Sequence, residues 1–228
     1  MKHLNILFYS FILLLLLPGC TDKAVQSPAL IEIIDTDYHF STQDLVKFSK
    51  DNNLDYSSIF EWQNHWVIYC DLNRATNYKQ KLETLFPSII VKLYDTPFYN
   101  FNRRQYSDEK PAAKWHHIIM TANMVEDTLK QKEYLEYHRT QKEKWPEISK
   151  GFYNANFQQV LVFHNGRQLM LVISIPEGES LDRLNPKTTE NNPRVTEWNS
   201  IMGNYQEGIE DAPKGTTWVM FSTLKGLK

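Results

Sequence analysis

Cysteine is almost absent: of the two in 228 residues, Cys20 closes an N-terminal apolar run and only Cys70 lies in the part that can fold. An internal disulfide is thereby excluded, and stability has to come from a hydrophobic core. The residues after position 20 are enough for one domain or two small ones. Charge of one sign is lacking too. The formal net charge is -2 with no basic run, which removes the electrostatic reason to expect nucleic acid as a partner. There is no zinc-ligand spacing, no serine or cysteine nucleophile signature and no glycine-rich phosphate loop. Metal- and nucleotide-dependent chemistry is therefore not expected, and no cofactor is implied. His116 and His117 do not change this, because neighbours on a strand point to opposite faces and cannot share one ion. Aromatics are plentiful at 13%, which suits sugar binding, although such residues more commonly fill cores.

No apolar run is long enough to span a bilayer, which takes roughly 20 residues. The opening "MKHLNILFYSFILLLLLPGC" instead has a short basic start, an apolar run through Leu17 and the small pair Gly19-Cys20, the layout of a secretion signal. "LLPGC" resembles the lipobox of bacterial lipoproteins. That resemblance implies cleavage before Cys20, lipidation of Cys20 and a cell-envelope location, facing the periplasm or on the outer membrane if the cell is Gram-negative. Lipid chains bury roughly 0.8 kcal/mol per methylene, enough for durable anchoring when several share one cysteine. Polar residues 21–28 then read as a tether.

From Ala29 the pattern becomes regular. "ALIEIID" is a strand, "STQDLVKFSKDNN" a helix with Ser41 as N-cap, and "SSIFEWQNHWVIYCDL" two strands around Gln63-Asn64. The two Trp residues of "FEWQNHW" are expected across that hairpin, and Cys70 as a small inert core residue. "NYKQKLETLF" is a second helix and "SIIVKLYDT" returns to strand. After the charged stretch "FNRRQYSDEKPAAK" the order repeats: strand "WHHIIMTANM", helix from Val125 to Asn154 broken near Trp145, a hairpin at "HNGR", helix with proline breaks, and a closing strand "TTWVMFSTL". The expected fold is α+β, with two ferredoxin-like (split βαβ) units in tandem packed as an intrachain dimeric α/β barrel. The expected boundaries are residues 29–105, a linker at 106–113, and 114–228. Since the halves can cover each other's sheets, a monomer is preferred over a homodimer.

Within "YLEYHRTQKEKWPE", Tyr134 and His138 stand four apart and so share one helix face. Pro146 suits the first turn of a new helix, which leaves Trp145 at a fixed corner. Taken with "WPE", the hairpin "VLVFHNGRQLMLVISI" and "RVTEWNSIM", this makes residues 114–225 resemble the L-rhamnose mutarotase family. The resemblance implies a ferredoxin-like domain without metal or redox cofactor. It makes His138 the general acid/base, Tyr134 a contact to a substrate hydroxyl and Trp198 an aromatic platform beside the sugar. Asn199, Gln159, Trp145 and Glu147 fall at or beside the remaining sugar positions. Three departures accompany it. His138 and Trp145 are three residues further apart than in the best known members, Asn199 stands where those members have a second Trp, and Gln159 falls near the family's substrate-binding Tyr.

Exchange of anomers needs a proton removed from the anomeric hydroxyl and one delivered to the ring oxygen. A histidine, with an ordinary pKa near 6.5, suits both transfers. Tyr134 and Glu147 are the candidates for a second proton carrier; Tyr134 is favoured by helix geometry, and Glu147 also suits the first turn of the following helix. The first half lacks such a pair, so one site per chain is expected. The leading reading is a lipid-anchored aldose mutarotase acting on a deoxyhexose such as L-rhamnose or L-fucose. The rival is a non-catalytic sugar-binding or assembly lipoprotein of a glycan-uptake system. A small monooxygenase on the same architecture rests on fold analogy alone.

Overall fold

The computed structural model describes residues 27–37, 39–106 and 108–224. The expected signal segment, the lipidated Cys20 and nearly all of the tether lie outside the described residues. Among the described residues no helix is long and apolar enough to cross a membrane.

The first half runs β1 (Pro28–Ile34), α1 (Thr42–Asp51), β2 (Ile59–Trp62), β3 (His65–Asp71), α2 (Leu72–Leu85) and β4 (Ile90–Tyr94). Next come β5 (Tyr99–Asn102), α3 (Arg103–Tyr106) and β6 (Trp115–Met124). A broken helical stretch follows as α4 (Thr128–Arg139), α5 (Gln141–Lys144) and α6 (Pro146–Asn154), then the hairpin β7 (Gln159–Asn165) and β8 (Gln168–Pro176). The chain closes through α7 (Leu181–Leu184), α8 (Pro193–Gly203), β9 (Gln206–Glu207), β10 (Val219–Met220) and β11 (Ser222–Thr223). The class is mixed α+β, with antiparallel strand pairs throughout both sheets.

Local chemistry explains these boundaries. Ser41 caps α1 in a reciprocal box, its hydroxyl accepting from Asp44 N while the Asp44 carboxylate accepts from Ser41 N at 2.9 Å. Asp127 caps α4 by accepting from Leu129 N at 2.8 Å. Pro146 starts α6, where its missing N–H costs nothing. The β7–β8 hairpin turns at Gly166 with φ +58, a conformation that a residue with a Cβ adopts only under strain. At the β2–β3 turn Gln63 takes φ 50. Trp62 there pairs with His65 and Trp66 with Glu61, so the two Trp residues are not cross-strand partners: Trp66 packs on the helix side and Trp62 against the other sheet.

One sheet has the order β11-β2-β3-β1-β4 and the other β10-β6-β8-β7-β5, with β9 beside β6. Alternation along each strand sends residues to two cores. Ala29, Ile31 and Ile33 of β1 pack with Leu45 and Phe48 of α1, whereas Leu30, Val67, Leu161, Phe163 and Val172 meet between the sheets. The layers are therefore helix, sheet, sheet, helix. Burying a Leu or Phe contributes roughly 1.5–3 kcal/mol, so this inter-sheet layer is a principal bond between the halves.

That layer also holds a charge. Glu32 is fully buried and accepts from Tyr94 Oη at 2.8 Å and, from the opposite sheet, Gln168 Nε2 at 3.0 Å; His65 Nδ1 lies 2.9 Å away. Burial works against its ionisation, but the His65 bond, the Lys92 charge and the Tyr94 bond together hold its pKa below the ordinary value.

Two placements differ from the regular alternation of the sequence. β5 falls inside the expected first unit, yet it pairs with β7 in the second sheet. The closing strand divides: β10 pairs with β6 and β11 crosses to β2 of the first sheet. Both edges give unpaired backbone groups a partner, which local periodicity does not encode.

Candidate active site

Helix α4 sets Tyr134 and His138 one turn apart, with ring centroids 4.4 Å from each other. His138 Nδ1 lies 2.9 Å from the Tyr134 carbonyl oxygen. A carbonyl only accepts, so Nδ1 carries the proton and Nε2 is left with its lone pair. The edges of Phe98, Tyr99 and Trp198 surround the ring, with centroids at 5.4, 5.5 and 5.2 Å. Burial among them pushes the His138 pKa down to about 4, only partly opposed by the bond to Tyr134. At neutral pH the group is thus an uncharged imidazole able to accept a proton.

The pair faces a cavity of about 380 Å³ between the second sheet and its helices. Its sheet wall is apolar, built from Val160, Val162, Leu171 and Ile173, while Trp198 and Met202 close it from α8. Polar groups are few and convergent, the usual form of a small-molecule site. Gln141 is fully buried; its Nε2 donates to the Trp145 carbonyl at 3.3 Å, and its Oε1 has no partner. Tyr134 Oη accepts from Gln206 Nε2 at 2.9 Å, and Gln206 Oε1 accepts from Trp218 Nε1 at 3.0 Å. Burial raises the Tyr134 phenol far above its usual pKa, with the Gln206 bond opposing, so it stays protonated.

The wall was built by breaking a helix. Thr140 ends α4, its hydroxyl donating to the Glu136 carbonyl at 2.9 Å, and the chain bends again at Trp145 before Pro146. α6 then packs closely on the turn at residues 185–188, where a Cβ on Gly151 would meet the Thr188 carbonyl oxygen at 2.6 Å.

Residues 118–224, just under half of the chain, match the family model for L-rhamnose mutarotase. No curated protein matches the chain. A solved structure from Fusobacterium nucleatum subsp. nucleatum, provisionally named a monooxygenase, is 9% identical, with a TM-score of 0.47 over 88% of this chain and 94% of that one. A likeness that loose bears on neither fold nor function. The second half of the chain is thus similar to a mutarotase family that acts on a sugar.

Tyr134, His138, Trp198 and Asn199 come together on the cavity, with Asn199 exposed at its mouth. Gln159 does not join them. Val160 and Val162 take the cavity face of β7, so Gln159 points the other way and its Oε1 meets Tyr69 Oη at 3.4 Å. Trp145 stands behind Trp198 at 5.5 Å, its far face covered by the Arg194 guanidinium at 3.7 Å. Glu147 lines a separate polar cleft of about 630 Å³ with Lys150 and Arg194, which neither His138 nor Tyr134 lines. His117 faces the first sheet, within 2.9 Å of Ser174 Oγ and beside Tyr69. Cys70 is free and buried, and burial lifts its thiol to about 12. Among the described residues no cluster of three metal-ligating side chains occurs. Gln141, Gln206 and Trp218 escape a reading of motifs. Gln141 alone leaves a signal, standing three residues past His138, at the start of the next helix.

Proposed function

We propose that this chain is an aldose mutarotase, with a deoxyhexose such as L-rhamnose or L-fucose as substrate. The observation that carries the reading is the Tyr134–His138 pair, with a proton-accepting Nε2 and a protonated phenol side by side on an apolar cavity. His138 Nε2 takes the proton of the anomeric hydroxyl, and Tyr134 gives its hydrogen to the ring oxygen as the C1–O5 bond breaks. The electrons of the O1–H bond form the C1=O bond, and those of C1–O5 go to the ring oxygen. After rotation about C1–C2, both transfers reverse on the other face. Trp198 and the valine-lined sheet take the apolar face and methyl group of such a sugar, Asn199 a hydroxyl at the mouth, and Gln141 Oε1 a hydroxyl that donates to it.

In the same reading the two halves are tandem ferredoxin-like units forming an intrachain barrel, the first serving as the partner sheet and carrying no catalytic groups. Its strand order β2-β3-β1-β4 and the corresponding β7-β8-β6-β10 support this. An exported, Cys20-anchored, monomeric protein would equilibrate anomers in the cell envelope before uptake or breakdown of the sugar.

NMR saturation transfer between the α and β anomers of L-rhamnose and L-fucose, with full-length protein in detergent, tests the activity. Enhanced exchange that disappears in His138→Ala supports it. Saturable binding without exchange by any aldose would sink it in favour of a sugar-binding lipoprotein.

A further inference from the structure

We propose that Gln206 and Trp218 are positioning residues that fix the direction of the Tyr134 hydroxyl, so that it meets only a ligand oxygen that accepts. The inference rests on the mutarotase reading, in which the ligand oxygen that accepts from Tyr134 is the ring oxygen.

The argument is one of donors and acceptors. An indole N–H can only donate, so the Gln206 atom 3.0 Å from Trp218 Nε1 is the amide oxygen. The amide nitrogen then faces Tyr134 Oη at 2.9 Å, and an amide nitrogen also only donates. Tyr134 oxygen is therefore an acceptor on that side, and its own hydrogen must leave in another direction. Among the described residues the Tyr134 hydroxyl donates to no protein acceptor, and the residue lines the cavity. The hydrogen points at the ligand. When the phenol gives up its proton, the same Gln206 N–H stabilises the oxygen that is left. Gln206 is held for this by its backbone, paired with Met124 at the edge of the second sheet.

Gln206→Glu tests the direction with little change of shape. Ionised, the new carboxylate accepts from both Trp218 and Tyr134 and draws the phenol hydrogen out of the cavity. Protonated, its carbonyl accepts from the indole and its O–H donates to Tyr134, which restores the original polarity. With the full chain in detergent, kcat for anomer exchange by Gln206→Glu is expected to be about ten- to a hundredfold below wild type at pH 8, the worth of one hydrogen bond to developing charge, and to recover towards pH 5. The wild-type enzyme stays level over that range, because His138 titrates near 4. Adding Tyr134→Phe should remove the pH response. A Gln206→Glu rate that tracks wild type at every pH, or a response that persists without the phenol, overturns the relay. Trp218→Phe, which frees the amide to rotate, should lower kcat with KM unchanged; full kcat overturns the relay where Gln206→Glu does not fold. If the wild-type protein exchanges no aldose, the functional reading fails separately. The relay is then read from the 13C shift of Tyr134 Cζ, which should move between pH 8 and 5 in Gln206→Glu and not in wild type; an immobile shift overturns it.

Discussion

Helices α1 and α4 each follow the first long strand of their half, and they differ instructively. Both carry an inward pair four residues apart, and in both the second residue of the pair bonds the carbonyl of the first. Ser49 Oγ donates to the Leu45 carbonyl at 2.7 Å, and His138 Nδ1 to the Tyr134 carbonyl at 2.9 Å. Leu45 and Ser49 are fully buried, Leu45 within an apolar cluster with Phe48 and Ala75; Tyr134 is buried as deeply, but it and His138 line a cavity. Helical spacing delivers two side chains to one place; whether they do chemistry depends on what the facing layer leaves unfilled. In the second half the breaks at Thr140 and Trp145 swing α6 aside and leave the cavity.

The comparison breaks most visibly at His138. His138→Ala should slow anomer exchange by about 10²- to 10⁴-fold, the range for a positioned acid/base group, with saturation transfer as the measure. The pH profile sharpens the same point. An imidazole at its ordinary value would make the rate fall below pH 6.5, whereas one held down to about 4 by burial keeps the rate level through pH 5 and loses it only near pH 4. Stability has the matching sign. The unfolded chain binds this proton first, so folding weakens as pH drops from 6.5 towards 4. A rate with its midpoint at 6.5 would contradict the burial of the ring.

At the corresponding place in α1 the expected damage is of another kind. Leu45→Ala should cost roughly 2–5 kcal/mol in urea unfolding, the usual range for emptying a packed site, while exchange per folded molecule is unchanged. Loss of exchange without loss of stability would mean that the first half contributes to the site.

What the sequence made legible follows the same division between local and non-local causes. The Ser41 cap, the turns at Gln63 and Gly166 and the facing of Tyr134 with His138 all follow from interactions within a few residues, and each could be read. β5 crossing to β7, and β10 and β11 dividing between sheets, depend on edges that exist only once the sheets have formed. A strand of two residues carries no periodicity of its own. Gln159 shows how narrow the margin is, since one step along β7 exchanges the cavity face for the inter-sheet face. Gln206 was hidden for a similar reason: its partners Tyr134 and Trp218 lie 72 and 12 residues away.

Glu32 tests whether the halves depend on one another. Its bond to Gln168 crosses between the sheets, so Glu32→Gln, which sets an amide among the groups that donate to it, should cost about 1–3 kcal/mol. Because the folded carboxyl titrates below its ordinary 4.5, the contribution is present above that value and disappears as pH falls through the lowered one. Urea midpoints of wild type and Glu32→Gln should therefore converge in acid. Midpoints that stay parallel down to pH 3 would mean that the charge contributes nothing to the joint.

The smallest expected effect separates the two back-bonds that make the helices look alike. Ser49→Ala removes a hydroxyl that bonds only its own helix, and the Leu45 carbonyl keeps its ordinary helical partner, so the loss should be roughly 0.5–1.5 kcal/mol, with no change in exchange. At His138 the same bond has a second consequence, because occupying Nδ1 is what leaves Nε2 free to accept a proton. His138→Gln, which can still donate to the carbonyl but has no second nitrogen to titrate, should keep most of the wild-type stability and lose the exchange. If it kept both, the back-bond would be the whole role of His138, and the two helices would be equivalent after all.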